Sequence, residues 1–453
     1  MKDLTRGSIT AHLLAMALPM AVGMLVQTLY FMVDLYFVAR LGDTALAGVG
    51  AAGNFALAIM ALTQMLGVGT VALIAHAVGA GDRDGASLLF NQSLALAALC
   101  SAVTLLAGFG LAGPYMRAIG ADAATTGAGT TYLMWYVPGL ALQFALVALG
   151  SALRGTGVVQ PTVVTQLVTV LVNIVLAPVL IAGWGTGRPL GVAGAGLAST
   201  LAVAVGVVLL AAYFARLEKY VGFRAAEWRP RLHTWTRILD IGLPAGGEFA
   251  LMFVYMAGIY AIIRHFGAAA QAGFGVGSRI MQAVFLPAMA LAFAIAPVAG
   301  QNFGARNAAR VRASFRDGAL LCGAAMLLLT LLVQWRATQF VRFFTTDAEA
   351  VAVAVGFLKV ISFNFVASGL IFCCSGMFQA LGNTWPSILS SATRLVTFLV
   401  PALTIAQLPW FRIEHVWYLS VATVALQLVV SLWLLRGQLR ARLVFAAGDA
   451  PRP

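Results

Sequence analysis

Two acidic residues lie inside long apolar stretches of the chain. Asp34 stands in "YFMVDLYFVARLG" at 30–42, and Glu248 stands in "GLPAGGEFALMF" at 242–253. An ionised Asp at the centre of a bilayer costs about 2.5 to 3.5 kcal/mol on insertion scales, so such a residue needs a partner or a task. Desolvation favours the neutral form of a carboxyl group that has no cation nearby, which brings proton exchange within reach of physiological pH. Both acids are therefore candidates for ion or proton chemistry, or for structural ion pairs.

Asp34 is the better candidate for proton exchange, because the apolar stretches of the first half contain no Lys or Arg. Helical spacing places Tyr30 and Gln27 on the same face as Asp34. Asn173 in "TVLVNIVLAPVL" could donate a hydrogen bond to a protonated Asp or to a bound water. We predict a proton-coupling group of Asp34, Tyr30 and Asn173. The alternatives are an Asp that caps the outer helix end or reaches the membrane surface, and an Asn that only bridges two helices.

Glu248 shares its half of the chain with three cations that also fall in apolar stretches, namely Arg279, Lys359 and Arg394. One interpretation is a structural pair between Glu248 and one of these cations. The other is a carboxylate that faces a cavity and attracts cations. Both remain open at the level of sequence.

Methionines recur at helical spacing close to both acids. Core packing explains such a pattern, and so does the adaptable wall of a substrate cavity. We predict a substrate cavity lined by Gln27, Met24, Glu248, Met252 and Met256.

The composition is that of a membrane protein. Of 453 residues, 61% are hydrophobic and 9% are charged, against roughly 25% charged residues in an average soluble domain. Apolar stretches of about 20 residues, long enough to cross a bilayer as helix, recur along the whole chain. We predict an all-α membrane protein with twelve transmembrane helices, at about 11–38, 46–74, 90–112, 128–150, 160–182, 192–214, 238–263, 277–300, 317–336, 353–377, 387–408 and 415–436.

The net charge of +13 is explained by the orientation of the protein in the membrane rather than by binding of a nucleic acid. If both termini are cytoplasmic, 18 of the 28 Lys and Arg residues lie in cytoplasmic segments and 7 in outer loops, which is the positive-inside pattern. We therefore expect a multi-pass protein of the cell inner membrane with cytoplasmic N and C termini, the lipid bilayer as a partner, and no nucleic-acid partner. The four cysteines form no C-x-x-C pair, so we predict neither a disulfide framework nor a metal site.

An internal repeat organises the chain. Sliding the sequence by 225 residues aligns Pro19 with Pro244 and Tyr30 with Tyr255, and the same offset still holds at the "GNTWP" of the second half. This predicts two pseudo-symmetric six-helix lobes: an N-lobe at 1–214, a cytoplasmic linker at 215–236 and a C-lobe at 237–453. Repeats of this kind are typical of transporters that rock two lobes around a central site. Neither acid belongs to the shared pattern, since Ile259 stands opposite Asp34 and Gly23 opposite Glu248.

The whole chain resembles the multidrug and toxic compound extrusion (MATE) transporters. The resemblance is carried by "LALPMAVGMLVQTLYFMVDLYFVARLG" in the first span, "HAVGAGDRDGA" after the second, "GSALRGTGVVQP" before the fifth, and "AGQNFGARNAARV" and "QALGNTWP" in the second half. It implies a twelve-helix antiporter with a central cavity that exports cationic or amphipathic compounds in exchange for protons or sodium. It also implies a monomer without a cofactor that is not an enzyme.

The resemblance places Asp34 at the family's functional first-helix Asp. In similar prokaryotic members this Asp works with an Asn and a second Asp four residues later in the fifth helix; here Asn173 is kept and Ala177 replaces the acid. Sodium-coupled members have a Glu deeper in the seventh helix than Glu248, which lies four residues after Pro244. We therefore favour H⁺ as the coupling ion, with Na⁺ as the alternative.

A flippase for lipids or lipid-linked oligosaccharides from the same superfamily is the alternative function. Such a protein would direct several arginines into its cavity, so the positions of Arg279 and Arg394 distinguish the two functions. An enzyme is disfavoured because no H-E-x-x-H or G-x-S-x-G motif occurs.

Overall fold

The structure, a computed structural model, describes residues 1–218 and 220–445, without the side chains of residues 29–33. The side chain of Tyr30, assigned above to proton coupling, thus lies outside the described residues. The part of the chain that is described folds into α-helices and contains no strand. The helices are α1 (Ile9–Ala39), α2 (Asp43–Gly79), α3 (Arg83–Ile119), α4 (Ala123–Gly155), α5 (Gln160–Ile181), α6 (Val192–Arg216), α7 (Leu232–Ile263), α8 (Ala268–Gly304), α9 (Ala308–Arg342), α10 (Ala348–Ile361), α11 (Asn364–Ala380), α12 (Trp385–Ile405) and α13 (Ile413–Arg442).

The helices match the predicted membrane spans. Eleven helices in the described ranges are long and apolar enough to cross a membrane, and the bent pair of α10 and α11 raises the number to twelve when it counts as one span. The protein is therefore an all-α, multi-pass membrane protein, and the predicted twelve-helix fold is confirmed.

The predicted tenth span is not one straight helix. It divides into α10 and α11, which meet at an angle of 58°. The side chains of Thr330 and Gln334 on α9 donate to the carbonyl oxygens of Ser362 and Lys359 at 3.1 and 2.7 Å, and Gln334 also donates to the Ser362 hydroxyl at 2.8 Å. A carbonyl group freed inside a membrane needs such a partner. Polar side chains on α9 therefore stabilise the break.

The chain forms two compact units, and the division falls inside helices. The first unit comprises Met1–Asp3 and Val22–Gly242, and the second comprises Leu4–Ala21 and Leu243–Pro453. Both internal changeovers lie close to the repeat partners Pro19 in α1 and Pro244 in α7. A proline inside a helix removes one backbone hydrogen bond and permits a bend there. The lobes predicted from the sequence, 1–214 and 237–453, differ from these units in two respects. They assign residues 4–21 to the N-lobe, and they leave the linker at 215–236 outside both lobes, whereas the compact units place residues 4–21 in the second unit and the linker in the first.

The last helix of each half buries the same face. In both units this helix packs against a central partner, α4 in the first unit and α11 in the second. Its buried positions repeat with the same spacing: Ser199, Val203 and Phe214 of α6 match Ser420, Val424 and Leu435 of α13. This spacing identifies the equivalent residues of α6 and α13, where the sequence offset of 225 residues no longer holds.

Two glycines permit a close approach of α2 and the first part of α7 within the first unit. A Cβ at Gly69 would overlap the carbonyl oxygen of Ile238, and a Cβ at Gly242 would overlap that of Met65. Backbone approaches of this kind are typical of helix contacts in membranes, where small residues let the helices touch. The two glycines therefore fix the position of the α7 segment that precedes Pro244.

Replacing Gly242 by Ala should lower the stability of the protein, because its Cβ has no space beside Met65 and overpacking costs about 1 to 3 kcal/mol. The midpoint of thermal unfolding in detergent measures the effect. The matched control is Gly50→Ala in α2, where nothing lies within 4 Å of the added Cβ; this change should leave the midpoint unaltered or raise it slightly. Equal midpoints for the two variants would contradict the proposed contact.

Candidate transport site

Asp34 occupies an apolar environment near the C-terminal end of α1. Its Oδ1 atom is buried and has no hydrogen-bond partner, and none of the ion pairs among the described residues involves this carboxylate. One turn later Val38 belongs to a buried cluster that includes Tyr132 and Ala177. Tyr136 of α4 packs against this cluster and lies within electrostatic range of Asp34. Among the described side chains, the carboxyl group thus lies close to an aromatic and aliphatic cluster and has no compensating cation.

Asn173 is another buried polar group of the first unit with an oxygen that has no hydrogen-bond partner. The residue is fully buried in α5, and its amide nitrogen donates to the Ser199 hydroxyl of α6 at 3.3 Å. Its Oδ1 atom is buried and has no partner. Ala177, where the family resemblance leads one to expect a second acid, is completely buried in the apolar cluster. Among the described residues of the first unit, three buried side-chain oxygens thus have no partner: Oδ1 of Asp34, Oδ1 of Asn173 and the hydroxyl of Thr162.

Gln27 connects α1 to α5. The side-chain nitrogen of Gln166 donates to the Gln27 oxygen at 3.1 Å, and Gly23 leaves room for Gln166 one turn earlier on α1. Gln27 and Met24 are both partly buried. The structure thus gives Gln27 a helix-bridging contact, and its role in a substrate cavity stays a prediction, as does that of Met24.

Hydroxyl groups, rather than a cation, hold Glu248. Ser387 and Ser391 of α12 donate to its two carboxylate oxygens at 2.8 and 3.1 Å. The Ser387 oxygen lies 3.1 Å from that of Ser375, and Gln427 donates to Ser391 at 3.4 Å. The ion pairs found in the described ranges include none from Glu248 to a cation, so the predicted structural pair is not observed. Glu248 is instead the centre of a polar network of α7, α11, α12 and α13.

The three cations in the same half of the chain as Glu248 have other surroundings. The guanidinium of Arg394 lies over the Tyr255 ring, 4.3 Å from its centroid, and its Nε atom is buried without a partner. The Tyr255 hydroxyl lies 3.1 Å from the Ser420 hydroxyl. Arg279 on α8 and Lys359 at the end of α10 are exposed. Only Arg394 therefore contributes to the polar interior of the second unit.

Met252 and Met256 are not core residues. Met252 is 50% exposed, and Met256 is partly buried, whereas Met16 and Met20 on α1 are buried in the core. Packing alone therefore explains the earlier methionines and leaves the two on α7 available to a ligand. Their assignment to a substrate cavity stays a prediction.

Several polar residues of these two sites were not among the predicted ones. Ser375, Ser387 and Ser391 carry no signal of their own, because a serine in a membrane helix usually bonds its own backbone. Tyr255 could have been found as the repeat partner of Tyr30. Among the described residues, no group of three or more His, Cys, Asp and Glu side chains could hold a metal ion.

The Glu248 network predicts a measurable coupling between two residues. Ser387→Ala removes a hydrogen bond to a charged group, and such bonds contribute about 1.5 to 3 kcal/mol. We expect the losses in thermal stability from Ser387→Ala and Glu248→Gln to be clearly non-additive in the double variant. Ser390→Ala is the control, since Ser390 lies on the same helix and bonds Ser431 instead. Additive losses for both serines would show that Ser387 does not hold Glu248.

Comparisons with known proteins agree with this architecture. The MatE family model matches residues 19–179 and 244–404, which are the two repeats. The probable multidrug resistance protein YpnP of Bacillus subtilis is 26% identical over 84% of this chain and 86% of its own length. An FAD transporter of Shewanella oneidensis is 24% identical over 86% of both chains. The multidrug export protein MepA of Staphylococcus aureus is 24% identical over 93% of both chains.

Solved structures give the same result. A crystal structure of a MATE protein in complex with MaD3S superimposes with a TM-score of 0.90 at 25% identity, covering 97% of this chain and 98% of that chain. A transporter of the MOP superfamily from Pyrococcus furiosus has the same fold, with a TM-score of 0.87 at 24% identity. Together with the family match over both repeats, these findings confirm the resemblance: the chain belongs to the MatE family of multi-pass membrane transporters.

Proposed function

We propose that the protein is a secondary active antiporter that exports cationic or amphipathic drugs and toxic compounds in exchange for protons, by alternating access of its two lobes. Membership of the family supports transport, and the names of YpnP and MepA support multidrug export. The observation that carries the proposal is the buried Oδ1 atom of Asp34, which has neither a hydrogen bond nor a cation. The protein acts in the cell inner membrane as a monomer, with both termini in the cytoplasm and small molecules as its substrates.

The environment of Asp34 makes two ways of neutralising its charge mutually exclusive. An ionised carboxylate among apolar side chains is costly, and either a proton or a substrate cation relieves that cost. A ligand shifts a conformational equilibrium only through its different affinity for the two states. Protonation of Asp34 therefore weakens the binding of a cation and favours the state that has released it, which is the requirement for exchange.

Sodium is the alternative coupling ion, and Glu248 is the site that favours it. Hard cations bind through several oxygen ligands. Two serine hydroxyl groups donate to the Glu248 carboxylate, and the hydroxyl of Ser375 lies 3.1 Å from that of Ser387. The buried Oε1 atom of Gln427 is a further free acceptor close by. The described side chains give the Asp34 Oδ1 atom no such hydroxyl partner, and Ala177 stands where the family resemblance leads one to expect a second acid. Protons at Asp34 and sodium at Glu248 are thus separable by mutation.

A cation as substrate fits the two acids better than an anion does. The relative named as an FAD transporter shows that similar chains can be associated with an anionic compound. In this chain the guanidinium of Arg394 is stacked on Tyr255 within its own unit and Arg279 is exposed. This arrangement also disfavours a flippase, which would direct these arginines at an anionic lipid substrate.

Uptake of a fluorescent cation into proteoliposomes tests the coupling ion. With an imposed pH gradient, the parent protein should transport the cation, and Asp34→Asn should abolish the pH-driven component because its side chain can no longer exchange a proton. The matched control is Asp43→Asn, which removes an exposed acid at the start of α2 and should leave transport unchanged. Equal pH-driven transport by Asp34→Asn and the parent would refute the role of Asp34.

The same vesicles test the alternatives. With a sodium gradient and no pH gradient, the proposal predicts little transport by the parent. If sodium alone drives transport and Glu248→Gln abolishes it, the coupling ion is sodium and Glu248 is its site. Competition by FAD as effective as that by a second cationic dye would overturn the assignment of a cationic substrate.

A further inference from the structure

A groove on the second unit presents three guanidinium groups without acidic partners. It lies between the beginning of α9 and the end of α13, and Arg312, Arg436 and Arg440 line it together with Phe315 and Leu435. The hydrogen bonds and ion pairs found in the described ranges include none from these three guanidinium groups. By contrast, the neighbouring Arg310 donates to carbonyl oxygens of the N-terminal segment, and Arg316 pairs with Asp317. Three adjacent, unpaired cations are an arrangement that attracts phosphate.

An apolar groove continues from the arginines along α9. It shares Phe315 with the first groove and runs past Leu320, Gly323 and Leu327 to Leu370 of α11. Leu320 and Leu327 are 67% and 52% exposed, as expected for side chains that face lipid. The small residue at 323 forms the floor, since a Cβ there would meet open space. The two grooves together offer a basic end and an apolar channel of the same helix.

The equivalent position in the first unit is filled by the protein itself. Phe90 of α3, the repeat partner of Phe315, stacks on Phe214 of α6 at 4.5 Å, and Phe223 of the linker covers both rings. Polar groups fix the linker there, because Asn91 and Gln92 bond the linker backbone.

In the second unit the matching residues differ in a consistent direction. Leu435 replaces Phe214, and Arg312 and Arg436 stand at the positions of Ser87 and Ala215. The second unit has thus lost aromatic packing and gained positive charge at the place where the first unit binds its linker.

We propose that this groove of α9 and α13 binds an anionic phospholipid, with the phosphate of the headgroup on Arg312, Arg436 and Arg440 and an acyl chain in the apolar groove of α9. Guanidinium groups bind phosphate oxygens in bidentate fashion. Basic pockets of this kind at the cytoplasmic side of membrane helices recognise anionic headgroups. The three arginines belong to the basic segments that the positive-inside pattern assigns to the cytoplasm. The lipid would fill the position that the linker fills in the first unit, independently of the coupling ion.

Native mass spectrometry of the delipidated full-length protein, titrated with phosphatidylglycerol or with phosphatidylethanolamine of identical chains, tests the site. The parent should retain phosphatidylglycerol preferentially. The variant Arg312→Gln/Arg436→Gln/Arg440→Gln should lower its retention at least about tenfold. The matched control Arg216→Gln/Arg229→Gln/Arg237→Gln removes three exposed arginines from the first unit and should leave retention unchanged. Equal losses in both triple variants, or equal retention of the two lipids by the parent, would overturn the proposal.

A second variant separates a lipid from free phosphate. Gly323→Leu places a side chain in the open apolar groove without touching the arginines. It should reduce retention of phosphatidylglycerol while leaving any binding of inorganic phosphate unaltered. If Gly323→Leu retains the lipid like the parent and inorganic phosphate displaces it fully, the site is one for free phosphate. If phosphatidylglycerol binds only after removal of residues 446–453, the C-terminal segment is the occupant instead, and the proposal fails.

Discussion

A polar group inside a membrane must find its partner within the protein, and this constraint explains most of the polar contacts described above. At the break between α10 and α11, Gln334 donates to the Lys359 carbonyl oxygen, which has lost its helical partner there. Glu248 is tolerated because serine hydroxyl groups occupy both of its oxygens. Against that background the free Oδ1 atom of Asp34 is an exception, and exceptions of this kind are more informative about function than the many satisfied groups.

The two units share a scaffold and differ in the polar groups that it carries. Ser199 and Ser420 occupy equivalent places, yet the first meets Asn173 and the second meets the Tyr255 hydroxyl. Phe398, the repeat partner of Asn173, packs its ring against Tyr255. The common backbone therefore carries two different polar sites. The first unit has the Asp34 carboxyl group without a cation, and the second has the Glu248 carboxylate, to which serine hydroxyl groups donate. The two lobes can therefore have different roles in transport although they share one fold.

Hydropathy predicted the spans, because the free energy of transferring a helix into the membrane is a sum over its own residues. The partners of Glu248 could not be predicted in this way. Ser387 lies 139 residues away, nothing in its own surroundings marks it, and the cations in the same half of the chain made an ion pair one of the two interpretations. The guanidinium of Arg394, one of the three candidate partners of Glu248, lies over an aromatic ring instead. The bend of 58° between α10 and α11 also depends on contacts with α9. The hydropathy of the tenth span by itself therefore predicts one continuous helix.

The division of α1 between the two units gives the proposed exchange at Asp34 a physical route to the rest of the protein. The part of α1 that carries Asp34 packs in the first unit, whereas residues 4–21 belong to the second. Thr10 donates to Asp317 of α9 at 3.1 Å, and the Leu4 amide donates to Gln301 of α8 at 3.0 Å. Pro19 lies between these two parts and lowers the cost of a bend. A change of charge at Asp34 therefore acts on a helix whose N-terminal part belongs to the second unit and is hydrogen-bonded within it, so the covalent chain itself can transmit the change.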